Sequence, residues 1–298
     1  MTTINEIFQT FGPEYRERFG EAMPREHQKA MAAICECRTE QAGIALYACE
    51  DCGHPHIVYR SCGNRHCPTC QHRKTRQWLE TQLDRQLPGH HFMITFTVPE
   101  SLRRFIRSHQ RVAYSALFKS SAEAIKKLAS DEKHIGGDLP GFFGVLHTWG
   151  HTLEYHPHLH YIVAGGALLT KDHSWYPSRI DFYLPVKALS KIFRAKFRDE
   201  MKAAGLLEEI PAEVWETEWN VNCQALGESS ASLKYLAPYV FKVALANSRI
   251  VKVENRTVTF HYKKPHSQRL RTMALDAMEF IRRFLQHVLP TGFMKSLP

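Results

Sequence analysis

Apolar positions near the start of the chain recur every three to four residues. Ile4, Ile7, Phe8 and Phe11 mark one stripe, and the segment to about Arg38 reads as two amphipathic helices punctuated by Gly20 and Pro24. A polar, Arg-rich stretch from Cys70 to about Leu87 has helical character and is closed by Pro88-Gly89. The period then changes. HHFMITFTVP (His90 to Pro99) alternates and is rich in β-branched and aromatic residues, which predicts a strand. A helical region from about Ser101 to Leu128 follows, and Gly136-Gly137 and Pro140-Gly141 mark a loop. Two strands are expected at Phe142 to His151 and His158 to Gly166, and a short one at about Ile180 to Val186. Helices are expected at about Leu189 to Ala204, Ser230 to Ala246 and Met273 to Val288. Arg249 to Lys264 reads as a hairpin with Glu254-Asn255 at its turn. Strands interrupted by helices of uneven length indicate an α+β fold with a largely antiparallel sheet.

The composition of the 298 residues, 44% apolar and 23% charged, suits a folded chain and argues against wholesale disorder. No apolar run reaches 18 residues and the first residues lack a basic start followed by an apolar core, so neither a membrane span nor a secretory signal is expected. A cytoplasmic location follows as the expectation. Net charge is +9, and between Arg249 and Pro298 ten Lys or Arg stand against three Asp or Glu. That excess favours a polyanionic partner without naming one.

Seven of the eight cysteines fall between Cys35 and Cys70, and in a chain without an export signal such crowding indicates metal rather than disulfides. Cys49-x-x-Cys52 and Cys67-x-x-Cys70 are separated by 14 residues, the pattern of two knuckles converging on one tetrahedral zinc. Cys37, Cys62, His66 and His27 remain nearby as a candidate second set, with Cys35 able to replace Cys37. Such closed sites would be structural. Arg60, Arg65, Arg73, Lys74 and Arg76 near the knuckles are candidate phosphate contacts.

His158 and His160 are two apart, so on a strand both imidazoles share a face and can bind a divalent ion. If the preceding strand pairs with theirs through a turn at about Leu153-Glu154, His147 lies opposite His160 and supplies a third ligand, with His151 in reserve. Tyr235 and Tyr239 are four apart, which on a helix stacks their hydroxyls, although Pro238 between them disturbs that stacking.

Four segments together resemble a known family: SCGNRHCPTCQ, LHTWGHTLEYHPHLHYIVAGG, KYLAPYVFKVALANSRI and EFIRRFLQHVLPTGFMK. In this order they are similar to the two-tyrosine HUH rolling-circle transposases of the insertion-sequence family whose type element is numbered ninety-one. The resemblance implies an HUH endonuclease palm, a central antiparallel sheet flanked by helices, preceded by a small helical zinc-binding domain. It implies zinc-bearing residues 1–88, a nuclease domain over 89–264 and a basic carboxyl segment over 265–298. His158 and His160 correspond to the motif that names the superfamily and His147 to the third ligand of magnesium or manganese. Tyr235 and Tyr239 correspond to nucleophiles that form 5′-phosphotyrosine links with single-stranded DNA, and the DNA partner implies a nucleoid-associated location. Similar proteins continue with further basic and aromatic sequence where this chain stops at Ser296-Leu297-Pro298, so a shortened copy is one reading. Alternatives are an HUH replication initiator or relaxase, and a zinc-dependent DNA-binding protein without catalysis.

Overall fold

The computed structural model describes residues 3–70, 87–228, 244–263, 269–294 and 296–297, together with Gln77, Glu80, Thr81, Asp84 and Ser267. The chain divides into two compact units, the first made of residues 1–76, 149–155 and 241–291 and the second of 77–148, 156–240 and 292–298. This partition differs from three consecutive segments. Most of the basic carboxyl segment packs with the amino-terminal helices, and a short piece from mid-chain joins them.

In the first unit, α1 (Ile4–Phe19) begins with a capping box in which Thr3 and Glu6 satisfy each other's backbone N–H groups. α2 (Arg25–Glu36) follows, and both amphipathic helices of the sequence are present. Ile4, Ile7 and Phe8 are buried with Met31 and Ile34 of α2 and with Phe280, Ile281 and Phe284 of α7 (Ala277–Leu285). The Phe8 and Phe284 rings meet edge to face at 5.2 Å. A hairpin, β1 (Ile44–Ala48) and β2 (Pro55–Tyr59), projects from the end of α2, and its strand residues are mostly exposed. β9 (Ile250–Glu254), β10 (Thr257–Lys263) and β11 (Leu270–Asp276) form a second antiparallel sheet. The β9–β10 turn lies one residue later than expected. Asn255 and Arg256 both have positive φ, as a type I′ turn requires.

The helix expected over Met273 to Val288 starts instead at Ala277. The Asp276 carboxylate accepts from the Met278 N–H and caps the helix there, so Leu270–Asp276 stays extended against β10.

The second unit is built on a five-stranded sheet in the order β12-β4-β5-β3-β8. Its members are β3 (His90–Thr97), β4 (Phe142–Trp149), β5 (Tyr155–Ala164), β8 (Asn220–Glu228) and β12 (Ser296–Leu297). The helical region after β3 consists of α3 (Arg103–Ser108) and α4 (Gln110–Ala129), and α5 (Val186–Ala203) packs beside α4. One face of the sheet meets these helices. Phe96 packs edge to face on Phe193 of α5, and Tyr161 shares a 2.8 Å hydrogen bond with Ser121 of α4. Gly144 leaves room for the Tyr161 ring, which lies 2.4 Å from where a Cβ would stand.

The strand expected at Ile180 to Val186 is absent. Tyr183 and Leu184 are buried side by side while Ile180 and Phe182 are exposed, so the alternation a half-buried strand needs is missing. A small hairpin, β6 (Gly166–Leu169) with β7 (Ser174–Pro177), precedes this stretch, and the short helix α6 (Glu213–Glu216) follows α5. The helices expected from Cys70 to Leu87 and from Ser230 to Ala246 fall largely outside the described residues.

Glu279 of α7 accepts from both Arg282 and Arg283 at 2.6 Å. The Arg282 hydrogen bond, aided by Arg283, holds its carboxyl down at about 2, against an ordinary value of 4.5. A carboxyl depressed in the folded state contributes stability above its unfolded value and loses it as pH falls through the folded one. A Glu279→Gln variant should therefore show its full deficit in urea midpoint at neutral pH. The deficit should shrink below about pH 4.5 and vanish near pH 2.

Candidate metal centres

Two groups of ligating side chains assemble among the described residues. The first comprises Cys37, Cys62, Cys67 and Cys70, whose sulfurs all lie within 4.8 Å of one another. The Cys37 and Cys62 sulfurs stand 3.3 and 3.6 Å from that of Cys70. Four thiolates at about 2.3 Å around tetrahedral zinc place sulfurs roughly 3.8 Å apart, so this set fits zinc with little movement.

Its electrostatics fit too. The Cys67 thiol is drawn down to about 5 because Cys62 donates to it, joined by the Asn5 amide and the N–H groups of Thr69 and Cys70. Burial pushes Cys37 up to about 11, and the hydrogen bond to Cys67, then burial, raises Cys62. One thiolate forms readily and its neighbours resist, which a thiophilic dication reverses.

The expected pairing of the two C-x-x-C knuckles is not what the structure brings together. Cys49 and Cys52 lie exposed at the tip of the β1–β2 hairpin, with Cys49 N–H donating to the His54 carbonyl. Cys37 and Cys62 flank the base, where the Arg38 N–H donates to the Arg60 carbonyl. A five-residue strand spans roughly 17 Å, so the hairpin that joins Cys37 to Cys62 carries Cys49 and Cys52 away. Nor does the second candidate set assemble. His27 is buried outside the cluster, and Cys35 donates to the Phe8 carbonyl. His66 Nε2 accepts from the Leu289 N–H, and Arg65 donates to the Leu289 and Pro290 carbonyls. Arg73, Lys74 and Arg76 fall outside the described residues.

The second group is His147, His158 and His160, on adjacent strands β4 and β5. Ring centroids are 5.2 Å from His147 to His158, 4.6 Å from His147 to His160 and 4.8 Å from His158 to His160. Their ligand atoms lie within 4.8 Å of one another, a convergence a shared divalent ion requires. They occupy the face of the sheet opposite α4 and α5, since Tyr161, between His160 and Ile162, points to the helices. His158 Nδ1 lies 2.7 Å from the His156 carbonyl, which selects the tautomer that carries its lone pair on Nε2. His160 Nδ1 lies 2.9 Å from Thr95 Oγ1, directly across on β3. Burial holds the His160 pKa down to about 4, so the ring is neutral and ready to ligate at neutral pH.

The turn that joins these strands lies at His151–Leu153, ahead of the expected Leu153-Glu154. Leu153 N–H donates to Gly150 O, Gly150 N–H donates to Glu154 O, and Leu153 has φ +64°. This is a three-residue hairpin loop with a left-handed residue at its end, a position that favours glycine. A leucine there costs about 1–2 kcal/mol of backbone strain. Its side chain is completely buried in the core of the first unit, which returns about 1.5–3 kcal/mol and fixes the turn. His151, the reserve ligand, is exposed and outside the histidine cluster.

Sequence reasoning missed Asn5, Thr95 and Leu153. A signal existed for the first two, each a polar residue inside an apolar pattern. Tyr235 and Tyr239 fall outside the described residues.

Residues 141–296 match the family model described as "Putative transposase", and residues 7–98 match one described as "Transposase zinc-binding domain". The chain is 34% identical over 320 residues to "Putative transposase y4qJ" of Sinorhizobium fredii, covering 97% of this chain and 77% of that protein. It is 26% identical over 283 residues to "Transposase for insertion sequence element IS801" of Pseudomonas savastanoi pv. phaseolicola, covering 87% of this chain and 66% of that one. No solved structure matches the chain.

Zinc per chain, counted by native mass spectrometry, distinguishes the two cysteine pairings. Cys37→Ser and Cys67→Ser should each lose one zinc, and a Cys49→Ser, Cys52→Ser double variant should keep it. Loss of that zinc in the double variant would restore the two-knuckle pairing.

Proposed function

Because the chain belongs to the transposase family of insertion sequences of the ninety-one type, we propose that it cuts and rejoins single-stranded DNA through a covalent tyrosine linkage in rolling-circle transposition. The observation that supports this reading most is the convergence of His147, His158 and His160 on the face of an antiparallel sheet opposite α4 and α5.

In this reading the three imidazoles would hold magnesium or manganese, and Thr95 and the His156 carbonyl keep His160 and His158 in ligating orientation. When bound, such an ion supplies positive charge to a non-bridging oxygen of the scissile phosphate. Met93, Ile162, Phe143 and Leu226 form an apolar patch that includes the strand neighbour of His160, and it limits water around the reacting phosphate.

The nucleophile is the phenolic oxygen of Tyr235 or Tyr239. A phenol has a pKa near 10, so the hydroxyl needs an activated phosphate. The tyrosine oxygen bonds to phosphorus as the bond from phosphorus to the 3′ oxygen breaks. The phenolic proton leaves to solvent and the departing 3′ oxygen takes one up. The products are a 5′-phosphotyrosine and a free 3′-hydroxyl. Attack by another strand's 3′-hydroxyl reverses the step, frees the tyrosine and restores a phosphodiester without nucleotide hydrolysis. The second tyrosine performs the matching cut. The four-cysteine module and the basic carboxyl segment contribute backbone affinity and recognition.

A single-stranded oligonucleotide carrying an element end tests the reading. With manganese, a protein–DNA adduct that survives denaturing electrophoresis should form and should vanish in a Tyr235→Phe, Tyr239→Phe double variant. His158→Ala with His160→Ala should lower adduct formation by roughly 100-fold or more. Nicking without an adduct would indicate hydrolysis by a metallonuclease. Neither nicking nor adduct would indicate a protein that binds DNA without cutting it.

A further inference from the structure

Resting on the histidine-centre reading above, we propose that the carboxyl end of α7 is a clamp on the β4–β5 hairpin, with Arg283, Gln286 and His287 as positioning residues for the histidine triad. Three consecutive carbonyls of the hairpin tip are each captured by a side chain from residues 249–287. Arg249 Nη2 donates to His151 O at 3.1 Å, Arg283 Nη1 to Thr152 O at 3.1 Å and Gln286 Nε2 to Leu153 O at 2.7 Å. His287 Nε2 adds a contact to Leu153 O at 3.2 Å, and its ring lies between Trp149 at 6.0 Å and Tyr155 at 6.5 Å. Arg283, Gln286 and His287 are spaced three and four apart, and the Gln286 and His287 N–H groups bond back to the Arg282 and Phe284 carbonyls, so the end of α7 and the turn that caps it present them together. Glu279 holds the Arg283 guanidinium from the preceding turn.

A left-handed leucine persists only where its surroundings over-determine it, and here they do. Its side chain is locked in the core and its carbonyl has two partners. The turn sets how β4 is aligned with β5, because one residue of slip in a hairpin moves every side chain to the other face. His147 lies three residues before Gly150 and His158 four after Glu154, so β5 takes up one extra residue between the loop and the triad, and the clamped loop fixes the ends from which both strands run. The same end of α7 is gripped from the cysteine module. Arg65 donates to Pro290 O at 2.9 Å and the Leu289 N–H donates to His66 Nε2 at 3.4 Å. Arg65 and His66 lie between Cys62 and Cys67, so the cysteine cluster stiffens the clamp. This gives the RRFLQHVLP segment a role apart from the chemistry.

The test uses the full chain with Arg283→Met and Gln286→Leu combined, and separately Leu153→Gly, which suits the positive φ but removes the anchor without touching α7. Amide hydrogen exchange over residues 147–160 should quicken at least tenfold or so in both, while α4 and α5 keep wild-type rates. Manganese affinity, followed by paramagnetic resonance, should fall about tenfold, as for loss of outer-sphere support at a metal site. Arg283→Lys keeps a donor and should behave as wild type. Unchanged exchange over 147–160 in both variants overturns the clamp, as does faster exchange with wild-type manganese affinity. A wild-type chain that binds no manganese overturns the histidine-centre reading instead, and the exchange comparison alone then decides the clamp.

Discussion

The pairing of β4 with β5 through a turn that ends in a left-handed leucine is the constraint on which the histidine centre rests. Strand pairing alone leaves the alignment free to slip, and each slip would carry His147 away from His158 and His160. Leu153 removes that freedom because its buried side chain offsets the strain of its backbone. The tip, residues 149–155, packs within the first unit. Local strain and distant burial are parts of one device.

The two clusters differ in the way their chemistry demands. Four sulfurs fill a tetrahedron, leaving no position for substrate, so the cysteine group suits a structural role. Three imidazoles leave positions open, and their strands present them on the face of the sheet away from α4 and α5. Outer contacts repeat the contrast. Donors converge on Cys67 and stabilise a thiolate, while Thr95 and the His156 carbonyl orient rings that must stay neutral.

Much of this was legible in the residues. The H-x-H spacing on a strand and an upstream histidine on a neighbouring strand are consequences of two-residue periodicity, and the triad follows from them. The α+β class and both amino-terminal helices followed from periodicity in the same way. The cysteine pairing did not, because counting C-x-x-C motifs ignores the hairpin between them. IALYA and PHIVY pair from Ala48↔Pro55 outwards to Ile44↔Tyr59, which sends one knuckle to the tip. β8 was missed because NVNCQALGE mixes polar residues into an alternating pattern that pairs with β3. The start of α7 was misplaced although Asp276 and Glu279 spell a helix cap. The strain at Leu153 leaves no mark in the sequence, since a leucine there looks like any other.

The claim that three imidazoles from paired strands form a cation site can be examined directly by anomalous diffraction from crystals equilibrated with manganese. The expected map has a peak between His147, His158 and His160, within bonding distance of a nitrogen from each ring. A manganese peak elsewhere with none among these rings, or well-ordered histidines with no peak at all, would contradict it.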